Sequence, residues 1–124
     1  MAILFLGDLF YDYDYITQDI FEISDYIKKN NFNVILNLEG SITKPSNPKI
    51  KKRGEHLCQS EKVIEVLKLL NVKGVILSNN HMFDYLEEGV RDTIEILEKN
   101  NIPYTEELLF SSDKNLPGSS PVQA

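Results

Sequence analysis

Val75-Ile76-Leu77-Ser78-Asn79-Asn80-His81-Met82-Phe83-Asp84-Tyr85 decides how the rest of this sequence is read. Its first three residues form an apolar run of the kind found in a buried strand. The run then stops on polar groups, with two carboxamides and an imidazole side by side. Asn and His are poor strand formers and capable ligands. Burying them at a strand end is costly unless a metal, a bound anion or their own hydrogen bonds satisfy them.

Moving outward, the same arrangement recurs. Ala2-Ile3-Leu4-Phe5-Leu6 is a short apolar run closed by Gly7-Asp8, which predicts a strand buried on both faces and ending on a carboxylate. Val34-Ile35-Leu36-Asn37-Leu38-Glu39-Gly40 predicts a second strand. Alternation puts Asn37 and Glu39 on one face near its carboxyl end, roughly 7 Å apart. Between these runs the period changes to that of a helix. Ile16, Ile20, Ile23 and Ile27 form one stripe, with Asn30-Asn31 as its exit. Ser60 is placed to cap a second helix in which Val63, Ile64, Leu67 and Leu70 face inward. A third runs from Leu86 to about Asn100, with Leu86, Val90, Ile94 and Leu97 aligned. Ile102-Pro103-Tyr104 opens a short fourth strand, with the proline at its start or on an edge.

The resulting order is β-α-β-loop-α-β-α-β. It predicts an α/β fold with a parallel sheet, right-handed crossovers and helices layered on the sheet. Residues 41–56 form the loop, with a basic cluster of Lys44, Lys49, Lys51, Lys52 and Arg53. Tyr11, Tyr13 and Tyr15 alternate with Asp12 and Asp14 in a stretch that either walls the site or covers the sheet edge. Beyond Thr105 the periodicity dissolves, so the domain is expected to span 1–105 and residues 106–124 to be a polar, disordered or non-native tail.

Composition narrows the function classes. The 124 residues make room for one small domain, and the apolar fraction of 42% supports an ordinary core. With 19 acidic and 13 basic residues the net charge is −6, which argues against wholesale nucleic-acid binding. Cys58 is alone, so no intrachain disulfide forms. No apolar run approaches the ~20 residues of a membrane span. Met1 leads directly into a strand-like run without a basic leader, so no signal peptide is expected and a cytoplasmic location is the default.

In an open parallel sheet, ligands bind outside the carboxyl ends of the strands. Three strands here offer ligand types at that end: Asp8, then Asn37 with Glu39, then Asn79, Asn80 and His81. Oxygen donors with one imidazole suit Mn²⁺, Fe²⁺, Zn²⁺ or Mg²⁺ better than a soft metal. Such an ion activates water and stabilises charge on a phosphoryl oxygen. A nucleotide-binding domain is the weaker alternative, because the first turn has neither a G-x-G-x-x-G nor a Walker A pattern.

Phe5-Leu6-Gly7-Asp8, Asn37-Leu38-Glu39-Gly40, Lys52-Arg53-Gly54-Glu55-His56-Leu57 and Ser78-Asn79-Asn80-His81-Met82-Phe83-Asp84-Tyr85, followed by Glu88-Gly89 and Asp92-Thr93, resemble the CapA-type family of capsule and poly-γ-glutamate synthesis proteins. That family has a calcineurin-like metallophosphoesterase fold, and the resemblance covers residues 2–105. It implies half of a metallophosphatase four-layer sandwich. It also implies a divalent metal held by Asp8, Asn37, Glu39 and Asn80. By the same resemblance His81 acts as general acid or electrostatic stabiliser, the alternative being a structural imidazole that only hydrogen-bonds Asp8 or Asp84, and Lys52 and Arg53 meet an anionic, phosphate-bearing or polyanionic substrate.

Two departures stand out. The family usually has Gly where this chain has Leu86, so a different turn into the third helix is expected. The family also continues with a second half whose His-containing motifs complete the metal site, whereas the only other histidine here is His56. The chain is therefore expected to be a truncated or split domain with one sheet face or edge uncovered. It would act as a metal-dependent phosphoesterase, or as a non-catalytic accessory or remnant module. The latter would work as a homodimer or beside a chain supplying the second half.

Overall fold

A computed structural model of the chain describes residues 2–105, and the segment 106–124, expected to be a tail, lies outside the described residues. Four parallel strands form the main sheet: β1 (Ala2–Leu9), β2 (Phe32–Leu38), β5 (Val72–Ile76) and β6 (Tyr104–Thr105), in the order β1-β2-β5-β6. The helices are α1 (Gln18–Lys29), α2 (Lys62–Leu69) and α3 (Leu86–Lys99). The layered α/β architecture with a parallel sheet is as expected. Two short strands inside the long loop, β3 (Ser41–Ile42) and β4 (Cys58–Gln59), pair in parallel and were not legible in the pattern.

Helices α1 and α2 pack on each other and against β2 and β5. The core beneath them is built from Ile27, Val34, Leu36, Val63, Val66 and Leu67, all essentially inaccessible. The opposite face of the sheet is open. Ile3 is 59% and Phe5 71% exposed, and Ile76 is exposed beside them. The expectation that β1 is buried on both faces is therefore corrected: an apolar run signals burial, but among the described residues nothing covers this side. The stripe proposed for α1 also needs correction. Ile20 and Ile27 are buried, but Ile23 is exposed and Ser24 takes the inward position, donating its hydroxyl to the Leu69 carbonyl at 2.7 Å.

The three helices leave by a common device. Asn31, Asn71 and Asn101 each sit just past a helix end with φ of 56°, 53° and 56°. Each donates its backbone N–H to a carbonyl three residues back, at 3.1 Å. Asparagine tolerates this left-handed conformation, so the turns are made at low cost. Each helix is thereby aimed back at the next strand.

The entry into α3 is less comfortable. Leu86 takes φ 60°, the conformation that glycine adopts freely. It is 39% exposed rather than inward-facing, which corrects the stripe drawn for α3 at that position; Val90 and Leu97 are buried as expected, Ile94 is partly buried, and Thr93 and Ile96 join the buried face. Three residues on, Gly89 lets α3 lie against β3. A Cβ there would stand 2.8 Å from the Tyr85 Cβ and 2.9 Å from the Ser41 hydroxyl oxygen. These two positions give opposite expectations. Leu86→Gly relieves about 1–2 kcal/mol of left-handed strain and gives back about 0.5–1 kcal/mol as unfolded-chain entropy. The net effect is a small gain in urea-unfolding stability. Gly89→Ala overpacks the helix contact and costs about 1–3 kcal/mol. A loss for the first or no change for the second would contradict this reading of the turn.

Candidate metal and anion site

Asp8 reaches the site through an irregularity in β1. Ile3 pairs with Asn33 and Phe5 with Ile35, but Asp8 pairs with Asn37, one residue out of step. A one-residue slip moves a side chain to the other face of a sheet. Asp8 consequently shares the open face with Asn37, and the Asn37 amide donates to Asp8 Oδ1 at 2.7 Å. Glu39, just past the end of β2, brings its carboxyl within hydrogen-bonding reach of Asp8.

The two carboxyl groups respond in opposite directions. The Asn37 amide, and then the Glu39 carboxyl, hold Asp8 below its ordinary range. The hydrogen bond to Asp8, partial burial and the Asp8 charge push Glu39 up, against a smaller downward pull from His81. The opposite directions follow from two like charges set close together, with the Asn37 amide favouring the charged form of Asp8.

Asn79 carries β5 into this site. Its amide donates to the Leu38 carbonyl at 2.7 Å and to Asn37 Oδ1 at 3.4 Å. Its Oδ1 accepts the His81 backbone N–H at 3.1 Å. Gln59, fully buried on β4, ties the same region from beneath. It accepts the Tyr11 N–H at 2.9 Å and donates to the Glu39 and Gly40 carbonyls at 2.9 and 3.2 Å. Thus the polar groups at the exits of three strands are cross-linked through side-chain amides.

His81 stands on the turn after β5, with Nδ1 2.7 Å from Asp84 Oδ2. A carboxylate only accepts, so Nδ1 carries the proton. Asp84 is 2% exposed. Burial alone would raise it, but hydrogen bonds from Lys52, the Leu57 backbone N–H and His81 outweigh that and hold it below its ordinary value of 3.8. Lys52 forms an ion pair with Asp84 Oδ1, and its ammonium is 3.5 Å from His81 Nδ1.

The residues expected at the site divide into groups. Asp8, Asn37 and Glu39 meet directly. Asn80 is exposed on the same turn with its side chain unpaired among the described residues, while its neighbour Asn79 makes the structural bonds. Lys52 is engaged by Asp84, whereas Arg53 is exposed and has no partner among the described residues. Asp84 and Gln59 were not singled out in sequence as site residues. Asp84 left a trace, a charged residue set among Met82, Phe83 and Tyr85; Gln59 left none.

Among the described residues no group of three or more His, Cys, Asp and Glu side chains is arranged to hold a metal. Two open clefts of about 610 and 670 Å³ lie elsewhere, lined respectively by Thr43, Glu88, Asp92 and Glu95 and by Phe10, Asp12, His56 and Tyr85. Neither is lined by Asp8, Asn37, Glu39, Asn80 or His81. The Tyr11–Tyr13–Tyr15 stretch forms an edge-on ladder with ring centroids 5.3 and 5.5 Å apart, Tyr11 buried and the other two exposed.

With this geometry in view, comparison with known proteins identifies the lineage. The family described as bacterial capsule synthesis protein PGA_cap matches residues 3–105. The chain belongs to that family. A relative, the PGA biosynthesis protein CapA of Bacillus subtilis (strain 168), is 31% identical over 85 residues, 68% of this chain. The match spans 20% of that relative's length. No helix among the described residues is long and apolar enough to cross a membrane.

Asp84 offers a direct check on the electrostatics. A carboxylate held below its unfolded value stabilises the fold above that value, and the contribution fades as pH falls through the folded value. Asp84→Asn should cost about 1–3 kcal/mol at neutral pH by leaving a buried donor unpaired. It should also lose less stability than the parent on acidification below about pH 4. Urea unfolding across a pH series reads both; parallel curves for parent and variant would contradict the assignment.

Proposed function

We propose that this domain handles phosphate-bearing or polyanionic substrates of capsule biosynthesis with a bound divalent metal, as a phosphoesterase-type module. The observation that carries this reading is the closeness of the Asp8 and Glu39 carboxyls, with Asn37 donating to Asp8 and the His81 turn nearby. Two carboxyl groups set this close repel when both are charged, and a bound cation would relieve that repulsion. The donors are oxygens, which suits Mg²⁺, Mn²⁺, Fe²⁺ or Zn²⁺. Asp8, Glu39, Asn37 and Asn80 are the residues that would hold the ion, with the Asn37 amide turned to present its oxygen.

When bound, the metal would polarise a phosphoryl oxygen and lower the pKa of a coordinated water. The chain's own groups supply the rest. His81, oriented by Asp84 through Nδ1, keeps Nε2 for a proton or for an oxygen of the substrate. Arg53, exposed on the basic loop, is free to meet a phosphate in a two-point contact. Family membership supports the capsule context, and the relative's printed role in PGA biosynthesis is consistent with a polyanion.

A second reading rests on a separate observation. Ile3 and Phe5 are more than half exposed on the open sheet face, and β1 is an edge strand. An apolar face and free edge of this kind suit an accessory module that pairs with a partner, either a second copy or a chain carrying a complementary half.

Isothermal titration with Mn²⁺ separates the two. The metal reading expects saturable binding to the full chain, reduced at least about tenfold by Asp8→Asn, and by Asn80→Ala to a lesser degree. It expects weaker binding as pH falls, because Glu39 retains its proton more readily than an ordinary glutamate. No binding, or binding indifferent to both substitutions, would leave the accessory reading. That reading expects a concentration-dependent mass in light scattering that Phe5→Lys abolishes.

A further inference from the structure

The basic loop and the imidazole of His81 meet on one buried side chain. Between β3 and β4 the chain from 48 to 57 has no regular secondary structure, yet it is attached to Asp84 at three points. The Ile50 N–H donates to the Asp84 carbonyl at 2.9 Å, the Lys52 ammonium to Oδ1, and the Leu57 N–H to Oδ2 at 2.8 Å. A fourth donor, Nδ1–H of His81, shares Oδ2 at 2.7 Å. Asp84 is itself backed by apolar neighbours, with Met82 and Tyr85 buried on either side. It has no room to turn its carboxylate toward water without abandoning all of these bonds.

We infer that Asp84 and Lys52 are positioning residues that lock the basic loop and the His81 ring into a single unit. The inference rests on the reading of His81 as a working site residue. Both carboxylate oxygens are occupied at once, Oδ1 by the loop alone and Oδ2 by the loop and the ring together. Displacing the loop therefore removes two donors from Asp84 and loosens its hold on the ring. Releasing the ring in turn leaves Oδ2 with the Leu57 N–H alone. The Lys52 ammonium also lies 3.5 Å from Nδ1, and the Asp84 carboxylate between them accepts from both groups. With Nδ1–H committed to Asp84, Nε2 is the nitrogen without a partner among the described residues, and the ring presents that atom to whatever the site binds. The Lys52 ammonium is thus committed to Asp84 although the residue is exposed, and the anion contact from this loop falls to Arg53.

The experiment uses the full chain uniformly labelled with ¹⁵N and needs neither metal nor substrate, so its outcome is independent of the titration that tests the metal reading. Long-range ¹H–¹⁵N correlation at a pH well above the ordinary histidine value of about 6.5 reports the His81 tautomer. Amide exchange reports the Ile50 and Leu57 bonds. The parent is expected to show the Nδ1–H tautomer and protected amides at both positions. Asp84→Asn keeps the shape but replaces one acceptor by a donor, so it should mix the tautomers and speed Leu57 exchange about tenfold. Lys52→Met keeps the apolar stem and removes the ammonium. It should speed Ile50 and Leu57 exchange by severalfold while leaving the ring on Nδ1–H. Should Asp84→Asn fail to fold, Lys52→Met decides alone. An Nε2–H tautomer in the parent overturns the inference. So does unchanged exchange at Leu57 in Asp84→Asn, or unchanged exchange at both amides in Lys52→Met.

Discussion

Between Phe5 and Asp8 the pairing of β1 with β2 slips by one residue, and the aspartate comes to lie across from Asn37. In regular register Asp8 would face the helices, where Leu38 is buried, and a carboxylate there would have to lose its charge or find a cation. The slip instead places it on the solvent side with an amide donor at 2.7 Å. The opposed shifts of Asp8 and Glu39 and the cross-links through Asn79 depend on that placement. Parallel strands supply the second half of the constraint. Because β1, β2 and β5 run the same way, their carboxyl ends are necessarily neighbours, and polar residues distant in sequence are brought to one rim.

What could be read in sequence follows from which forces are local. Strand and helix periods report burial of side chains on nearby turns, so the parallel α/β order and the convergence of Asp8, Asn37 and Glu39 were legible. The asparagine exit was legible at Asn31 for the same reason: the left-handed preference belongs to the residue itself. The failures were non-local. Whether β1 is covered depends on what packs across the sheet, not on Ile3 and Phe5. Ser24 displaces Ile23 from the core because a carbonyl 45 residues away, on Leu69, accepts its hydroxyl. Strands β3 and β4 are two residues each and carry no period to detect. Gln59 and Asp84 act through hydrogen bonds to backbone groups 20 to 48 residues distant, which no pattern in their own neighbourhood announces.

The Leu86 position shows local and global demands in conflict. The turn after the Asn79-Asn80-His81 segment requires a left-handed residue, and leucine fills it at a cost. That turn holds Asp84 and starts α3, so its geometry is tied to His81 and to the contact of Gly89 with Ser41. The structure keeps the turn and accepts the strain, in line with a segment whose shape is dictated by the site it carries. On the other side of the same rim lies the open apolar face. Ile76 pairs with Asn37 and stands beside the polar cluster, so a partner covering that face would also border the proposed site.

The central proposal is that oxygens from separate parallel strands would hold one ion at this rim. Paramagnetic broadening by substoichiometric Mn²⁺ in a ¹H–¹⁵N spectrum of the full chain tests it most directly, because the effect falls steeply with distance from the ion. The account predicts that resonances of Asp8, Asn37, Glu39 and the Asn79–His81 turn disappear first while those of α1 and α2 persist. Selective broadening around Glu88, Asp92 and Glu95 on α3, with the strand ends untouched, would contradict it.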